Sequence, residues 1–134
     1  MCGINGIFHF QKSNPVIGEL EKMNQVLAHR GPDAEGVFRE NEIELGHRRL
    51  SIIDVSEGAN QPMTSSDGNL VIVFNGELYN YLDLKNQLPH YSYKTSSDTE
   101  VVLAAYQKWG EHALRAFNGI FSFAIWDKSK RELL

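Results

Sequence analysis

Apolar positions along this chain fall into runs and periods that predict an alternation of strands and helices. Ile4, Ile7 and Phe8 stand among glycines, which suits a short buried strand within residues 2–10 whose backbone is closely approached at Gly3 and Gly6. Ser13 and Asn14 precede Pro15, a cap and a first-turn proline for a helix in which Val16, Leu20, Met23 and Leu27 recur at helical spacing. Arg30-Gly31-Pro32-Asp33 ends that helix. Residues 36–38, 43–53 and 70–74 are the next strands, the last apolar on both faces at Val71, Ile72 and Val73 and therefore central. Between them, residues 56–69 read as one long polar loop. A short helix follows over residues 82–88. Ser97-Asp98-Thr99-Glu100 then has capping-box spacing ahead of a helix with an apolar stripe at Val102, Ala105, Tyr106 and Trp109, and Gly110 stops it. Residues 121–126 read as a strand buried on both sides, followed by a turn over residues 127–130 into Glu132-Leu133-Leu134. A strand that starts and does not finish leaves an unpaired edge, so the chain reads as a fragment of something longer.

The 134 residues are 42% hydrophobic and 22% charged with four prolines, the balance of one ordinary globular domain. A net charge of -4 with scattered lysines and arginines gives no electrostatic footprint for nucleic acid. The longest apolar run, over residues 120–126, is too short to span a bilayer, and no basic segment precedes an apolar core at the start. From these features a cytoplasmic chain without a membrane span is expected. One cysteine can form no internal disulfide, and five histidines without a short ligand pair argue against a zinc site.

The position of that cysteine makes chemistry the question. Cys2 is small enough for an aminopeptidase to remove Met1, leaving a thiol and a free α-amine on one residue. In model peptides an α-amine titrates at roughly 7.7–8.0 and a thiol near about 8.5, so the amine can act as the thiol's base. A small residue in a buried strand is the alternative. Attack on a carboxamide creates an oxyanion, and Asn75-Gly76 offers a side-chain NH₂ and an unhindered backbone N–H for it, unless the pair is only a hairpin turn. A free amino acid also needs a cation for its carboxylate and an anion for its ammonium. Arg49 is the favoured cation, since a guanidinium grips a carboxylate with two parallel bonds and Arg48 would face the other way on a strand. Asp98 and Glu77 are candidate anions, although Asp98 also suits the first turn of a helix. His29 and His47 read as structural, because an N-terminal amine removes the need for a histidine base.

Met1-Cys2-Gly3-Ile4-Asn5-Gly6-Ile7-Phe8, His29-Arg30-Gly31-Pro32-Asp33, His47-Arg48-Arg49-Leu50-Ser51-Ile52-Ile53-Asp54, Phe74-Asn75-Gly76-Glu77-Leu78-Tyr79-Asn80 and Ser97-Asp98-Thr99-Glu100, taken together, resemble class II glutamine amidotransferases of the asparagine synthetase type. The resemblance covers the whole chain, and the Arg-Gly-Pro-Asp and Arg-Leu-Ser-Ile-Ile-Asp segments favour the asparagine synthetase branch over the sugar-phosphate amidotransferases. It implies an α+β N-terminal nucleophile hydrolase fold, a four-layer αββα sandwich of mostly antiparallel sheets, incomplete here at the C-terminus. Carried over, Cys2 is the nucleophile and its α-amine the base, with Asn75 and Gly76 as the oxyanion hole. Arg49 holds the glutamine carboxylate, Glu77 and Asp98 its ammonium end, and Ile53, Asn75 and Gly76 also contact the substrate. Residues 1–134 are then a truncated glutaminase domain that needs no metal or other cofactor. ATP and Mg are expected only in a synthetase domain of the same longer chain, which would use the ammonia, with asparagine made from aspartate as the leading product. Glutamine and that domain are the expected partners, and a homodimer is compatible with the sequence.

Two other classes stay open at this point. One is a non-catalytic glutamine-binding or assembly module, to which retention of Met1 would point because the proposed base is then lost; the other is an N-terminal nucleophile hydrolase for a different amide, against which Arg49 and Asp98 together argue.

Overall fold

Antiparallel pairing organises the chain into two sheets. The computed structural model describes residues 1–10 and 18–134. In the first sheet β1 (Gly3–Phe8) and β2 (Ala34–Glu40) flank β3 (Ile43–Arg49), with Gly3 opposite Arg48 and Ala34 opposite Arg49. In the second, the order is β4 (Met63–Thr64), β5 (Leu70–Leu78), β6 (Gly119–Asp127) and β7 (Glu132–Leu133). The period-2 alternation of side chains then decides the packing. Ile43 and Leu45 of β3 meet Val71 and Val73 of β5 and Trp126 of β6, so the two sheets face each other across one apolar layer. The opposite face of β5, with Leu70, Ile72, Phe74 and Leu78, packs on α3 (Asp98–Trp109) through Val101, Val102 and Leu103. Helix α1 (Glu19–Val26) covers the outer face of the first sheet, burying Leu20 and Asn24. The layers therefore run helix, sheet, sheet, helix, the αββα order expected of an N-terminal nucleophile hydrolase.

Several elements differ from the sequence reading. Strand β3 ends at Arg49, and Ile52 and Ile53, placed in the strand from sequence, are exposed. The Arg49 guanidinium donates to the Ser56 carbonyl and Asn60 Oδ1, both at 2.7 Å, and to the Asp54 carbonyl, so the chain wraps around the cation instead of extending. Residues 56–69 are not a plain polar loop: they contain a 3-10 turn at Glu57–Ala59, strand β4, and buried Ala59, Gln61, Met63 and Ser65. Strand β5 runs on to Leu78, which overturns the hairpin-turn alternative for Asn75-Gly76. Strand β6 is not buried on both sides throughout. Ile120 and Ser122 are exposed, and only Ile125, Trp126 and Asp127 are fully buried where β5 and β7 both flank them.

Helix α2 (Tyr81–Gln87) and helix α3 lie within a residue of their predicted bounds. Gly110 takes φ 58 at the end of α3, a conformation that favours glycine, as its reading as a stop requires. α3 buries residues 98–106 all round instead of along one stripe, because Leu88 and Ala113 pack against Ala104 and Ala105 on the side away from the sheet. The capping box is only half realised. Glu100 turns away from Ser97 and accepts from the Lys94 and Thr95 backbone N–H groups and the Thr95 hydroxyl at 2.7–3.1 Å. The predicted cap at Ser13 and Asn14, and Val16, lie outside the described residues. Among the described residues, no helix is long and apolar enough to cross a membrane.

Candidate functional site

The ends of β1, β3 and β5 and the start of α3 converge on one cavity of about 260 Å³. Cys2, Arg49, Ile53, Asn75, Gly76, Glu77 and Asp98, the seven residues singled out from sequence, all line it. Ligand cavities of roughly 300–1,000 Å³ take drug-sized molecules, so a volume just below that range suits something the size of one amino acid.

The polar character of the cavity follows from the open edge of β5. In an antiparallel strand, alternate residues turn their N–H and C=O groups to the same side. Tyr79 bonds to Asn118 on the β6 side, so Leu70, Ile72, Phe74, Gly76 and Leu78 turn theirs to the opposite edge. Strand β4 covers that edge only at Val71 and Ile72. Beyond it, side chains take over: Gln61 Oε1 accepts the Phe74 N–H at 2.6 Å, His47 Nε2 bonds the Phe74 carbonyl at 3.1 Å, and Asp98 Oδ2 accepts the Leu78 N–H at 2.9 Å. Gly76 lies between these anchored residues, and no side chain or loop among the described residues accepts its N–H. A donor beside a cavity with no protein acceptor is what a ligand oxygen requires. Asn75 Oδ1 is likewise buried without a partner among the described residues.

Gly76 has a reason to be glycine besides the ligand access read from sequence. A Cβ there would fall 2.5 Å from Phe121 Cα and closer still to the Ile120 carbonyl oxygen. The backbone also takes φ +147, which side-chain-bearing residues rarely adopt. The close approach of β6 at this point fixes the residue type.

Cys2 sits immediately before β1, half-buried, where its sulfur accepts the Leu50 N–H at 3.3 Å and faces the Leu50 carbonyl at 3.6 Å. Its own carbonyl accepts from Arg30 Nε at 3.2 Å. Around it, the Arg30-Gly31-Pro32-Asp33 segment, read from sequence as a helix stop and as part of the family resemblance, forms a shelf. Gly31 packs against the Arg48 and Arg49 backbone with no room for a side chain, its carbonyl accepts Arg48 Nε at 3.0 Å, and Asp33 Oδ2 accepts the Ser51 N–H at 2.8 Å. Arg48 points away from the cavity to Glu35, and Arg49 points in, as strand alternation requires.

The electrostatics of the cavity are those of a zwitterion's complement. Arg49 is buried, its partners are neutral carbonyl oxygens, and no carboxylate among the described residues pairs with it. A buried guanidinium without a counter-ion favours an anionic ligand. Across the cavity, burial raises the Asp98 carboxyl above its ordinary range, and the nearby Glu77 charge pushes the same way, against the hydrogen bonds from Leu78 and Thr99. Two carboxyl groups in mutual repulsion favour a cationic one. His47 is fully buried and does not line the cavity; burial above all, with help from the Arg49 charge and against the bond to Phe74, lowers its pKa to about 4. It is neutral at physiological pH and carries its proton on Nε2, since a carbonyl can only accept. His29 bonds the Val26 carbonyl at the surface. Among the described residues no cluster of three or more His, Cys, Asp or Glu side chains forms a metal-binding group.

Sequence reasoning missed the supporting cast. Gln61 and Thr99, joined at 3.2 Å, sit in segments read as loop and helix cap. Leu50 acts through its backbone, and Arg30 acts at a distance of 28 residues, which no local pattern reveals.

Residues 1–134 match the family model described as a glutamine amidotransferase domain. The chain is 41% identical over 99% of its length to asparagine synthetase [glutamine-hydrolyzing] 1 of Bacillus subtilis, and 43% identical over 97% to putative asparagine synthetase [glutamine-hydrolyzing] 2 of Methanocaldococcus jannaschii. It spans only 22% and 28% of those proteins. The solved structure of glutamine phosphoribosylpyrophosphate amidotransferase from B. subtilis superposes with a TM-score of 0.75 at 21% identity, over 96% of this chain and 35% of that one, a likeness of fold.

Proposed function

The chain belongs to the glutamine amidotransferase domain family, and we propose that, once Met1 is removed, it hydrolyses glutamine to glutamate and ammonia through a Cys2 thioester. The observation that carries this reading is one cavity lined by a cysteine next to the N-terminus, a buried arginine with no carboxylate partner among the described residues, two carboxyl groups and a Gly76 N–H that no described residue accepts.

Glutamine enters with its α-carboxylate on the free donors of Arg49 and its α-ammonium between Asp98 and Glu77, while Ile53 covers the aliphatic stem. The Cys2 α-amine takes the thiol proton, and the thiolate attacks the carboxamide carbon, as the Leu50 N–H already present at the sulfur favours negative charge there. The oxygen that becomes negative meets the Gly76 N–H and the Asn75 side-chain amide, donors already in place before the charge develops. Collapse breaks the C–N bond, and the proton held by the amine leaves with the nitrogen as ammonia. Water, deprotonated by the same amine, then attacks the thioester and releases glutamate with the thiol restored. No step calls on a metal or another cofactor.

The similarity to glutamine-hydrolysing asparagine synthetases supports a further assignment. Residues 1–134 are the glutaminase domain of a longer cytoplasmic protein whose synthetase domain, with ATP and Mg, uses the ammonia to make an amide, asparagine first among the candidates. Met1 itself lines the cavity, and a chain that keeps it has the Cys2 nitrogen tied in a peptide bond and lacks the proposed base. Cys2→Ala tests the chemistry: glutamine hydrolysis is lost while glutamine still binds by calorimetry, and retention of wild-type turnover would end the proposal.

A further inference from the structure

We infer that His47 and Gln61 are positioning residues that stand in for an absent edge strand and hold Asn75 and Gly76 where the oxyanion forms. Strand β4 pairs with β5 through only two residues, Met63 with Ile72 and Thr64 with Val71, and leaves the edge that serves the cavity uncovered. An uncovered strand can twist or slip, and a shift by one residue would turn the Gly76 N–H away from the site.

The two side chains occupy the positions that a neighbouring strand would fill. His47 donates from Nε2 to the Phe74 carbonyl at 3.1 Å, and Gln61 accepts the Phe74 N–H at 2.6 Å, so both groups of the residue before Asn75 are fixed. Gln61 is in turn tied to Thr99 at 3.2 Å, next to Asp98, which fixes the Leu78 N–H on the other side of Gly76. Both flanks of the open N–H are thereby anchored, one of them directly on the first turn of α3 and the other through Gln61. The His47 side chain has one hydrogen bond among the described residues, the one to Phe74, with Nδ1 buried and without a partner there, and it does not itself line the cavity. A histidine that serves only to fill the core needs no polar group there, so the bond to Phe74 accounts for the residue.

The inference rests on the reading of Asn75 and Gly76 as oxyanion donors, and the experiment separates the two. Glutamine hydrolysis is measured for the Met1-processed wild type, His47→Gln, which keeps a donor in reach of Phe74, and His47→Met, which does not. In parallel, the rate at which iodoacetamide alkylates Cys2, the chain's single cysteine, is followed by mass spectrometry. That displacement at a saturated carbon forms no oxyanion and reports the nucleophile alone. For His47→Met, kcat falls by about tenfold or more, short of the ~100–1,000-fold expected for outright loss of an oxyanion donor. Its KM stays within about twofold and the alkylation rate is unchanged, the split that marks loss of an interaction made only in the transition state. His47→Gln recovers most of the kcat. A folded His47→Met with wild-type kcat, or a loss that tracks alkylation, overturns the inference while leaving the glutaminase reading intact. A processed wild type that hydrolyses no glutamine overturns both. Should His47→Met not fold, Gln61→Met, which removes the acceptor for the Phe74 N–H, is measured in the same way and decides by the same criteria.

Discussion

The buried His47 makes stability depend on pH in a way that one substitution isolates. Its pKa is lowered to about 4 in the folded chain, from 6.5 for a free histidine, because burial disfavours the charged ring and Arg49 adds like-charge repulsion. Between those values the unfolded chain takes up a proton that the folded chain refuses. The contribution of His47 is therefore complete above pH 6.5 and is lost as pH falls toward 4. Lowering the pH from 7.5 to 5 crosses about 1.5 pH units of this window, which at 1.36 kcal/mol per unit costs about 2 kcal/mol. His47→Gln keeps the bond to Phe74 and does not titrate. Urea unfolding of both proteins at the two pH values removes every other group from the comparison, including Asp98, whose raised pKa acts in the opposite sense. Wild type should lose about 2 kcal/mol more than His47→Gln, a difference in midpoint of roughly 1 M urea. Equal losses in the two proteins would refute the claim that His47 is held neutral by its surroundings.

Arg49→Ala should raise KM for glutamine on the order of a hundredfold with a smaller effect on kcat, since charge-assisted bonds to a carboxylate are each worth about 1.5–3 kcal/mol; steady-state kinetics with an unchanged KM would remove Arg49 from the substrate. The α-ammonium needs Asp98 ionised, so KM should climb as pH falls through its raised pKa, and Asp98→Asn should raise KM and flatten that acid limb. Gly76→Ala forces β5 and β6 apart at the Ile120 carbonyl and should lower kcat by about a hundredfold with KM little changed, as for a lost oxyanion donor, whereas wild-type kcat would place the oxyanion elsewhere.

The fold and the first ring of site residues were legible for different reasons. Residues 70–74 announced a central strand because both faces are apolar, and the structure buries one face on the other sheet and one on α3. That only one of Arg48 and Arg49 could face the cavity followed from strand alternation. What sequence could not supply was long-range. The end of β3 depends on Arg49 reaching carbonyls up to seven residues further on, and nothing in Leu50-Ser51-Ile52-Ile53 is itself unlike a strand. Asn75-Gly76 has the composition of a turn and lies within a strand because β6 pairs with it across 45 residues. Gln61 and Arg30 act through single hydrogen bonds to distant backbone, which leave no periodicity to read.

The central claim is that Cys2, freed of Met1, attacks a glutamine-shaped carbonyl in this cavity. Intact mass after incubation with a diazoketone analogue of glutamine reports both parts at once. The account predicts a chain lacking Met1 that carries one stoichiometric adduct on Cys2, suppressed by excess glutamine. A chain that has lost Met1, remains folded and yet gains no adduct would contradict it.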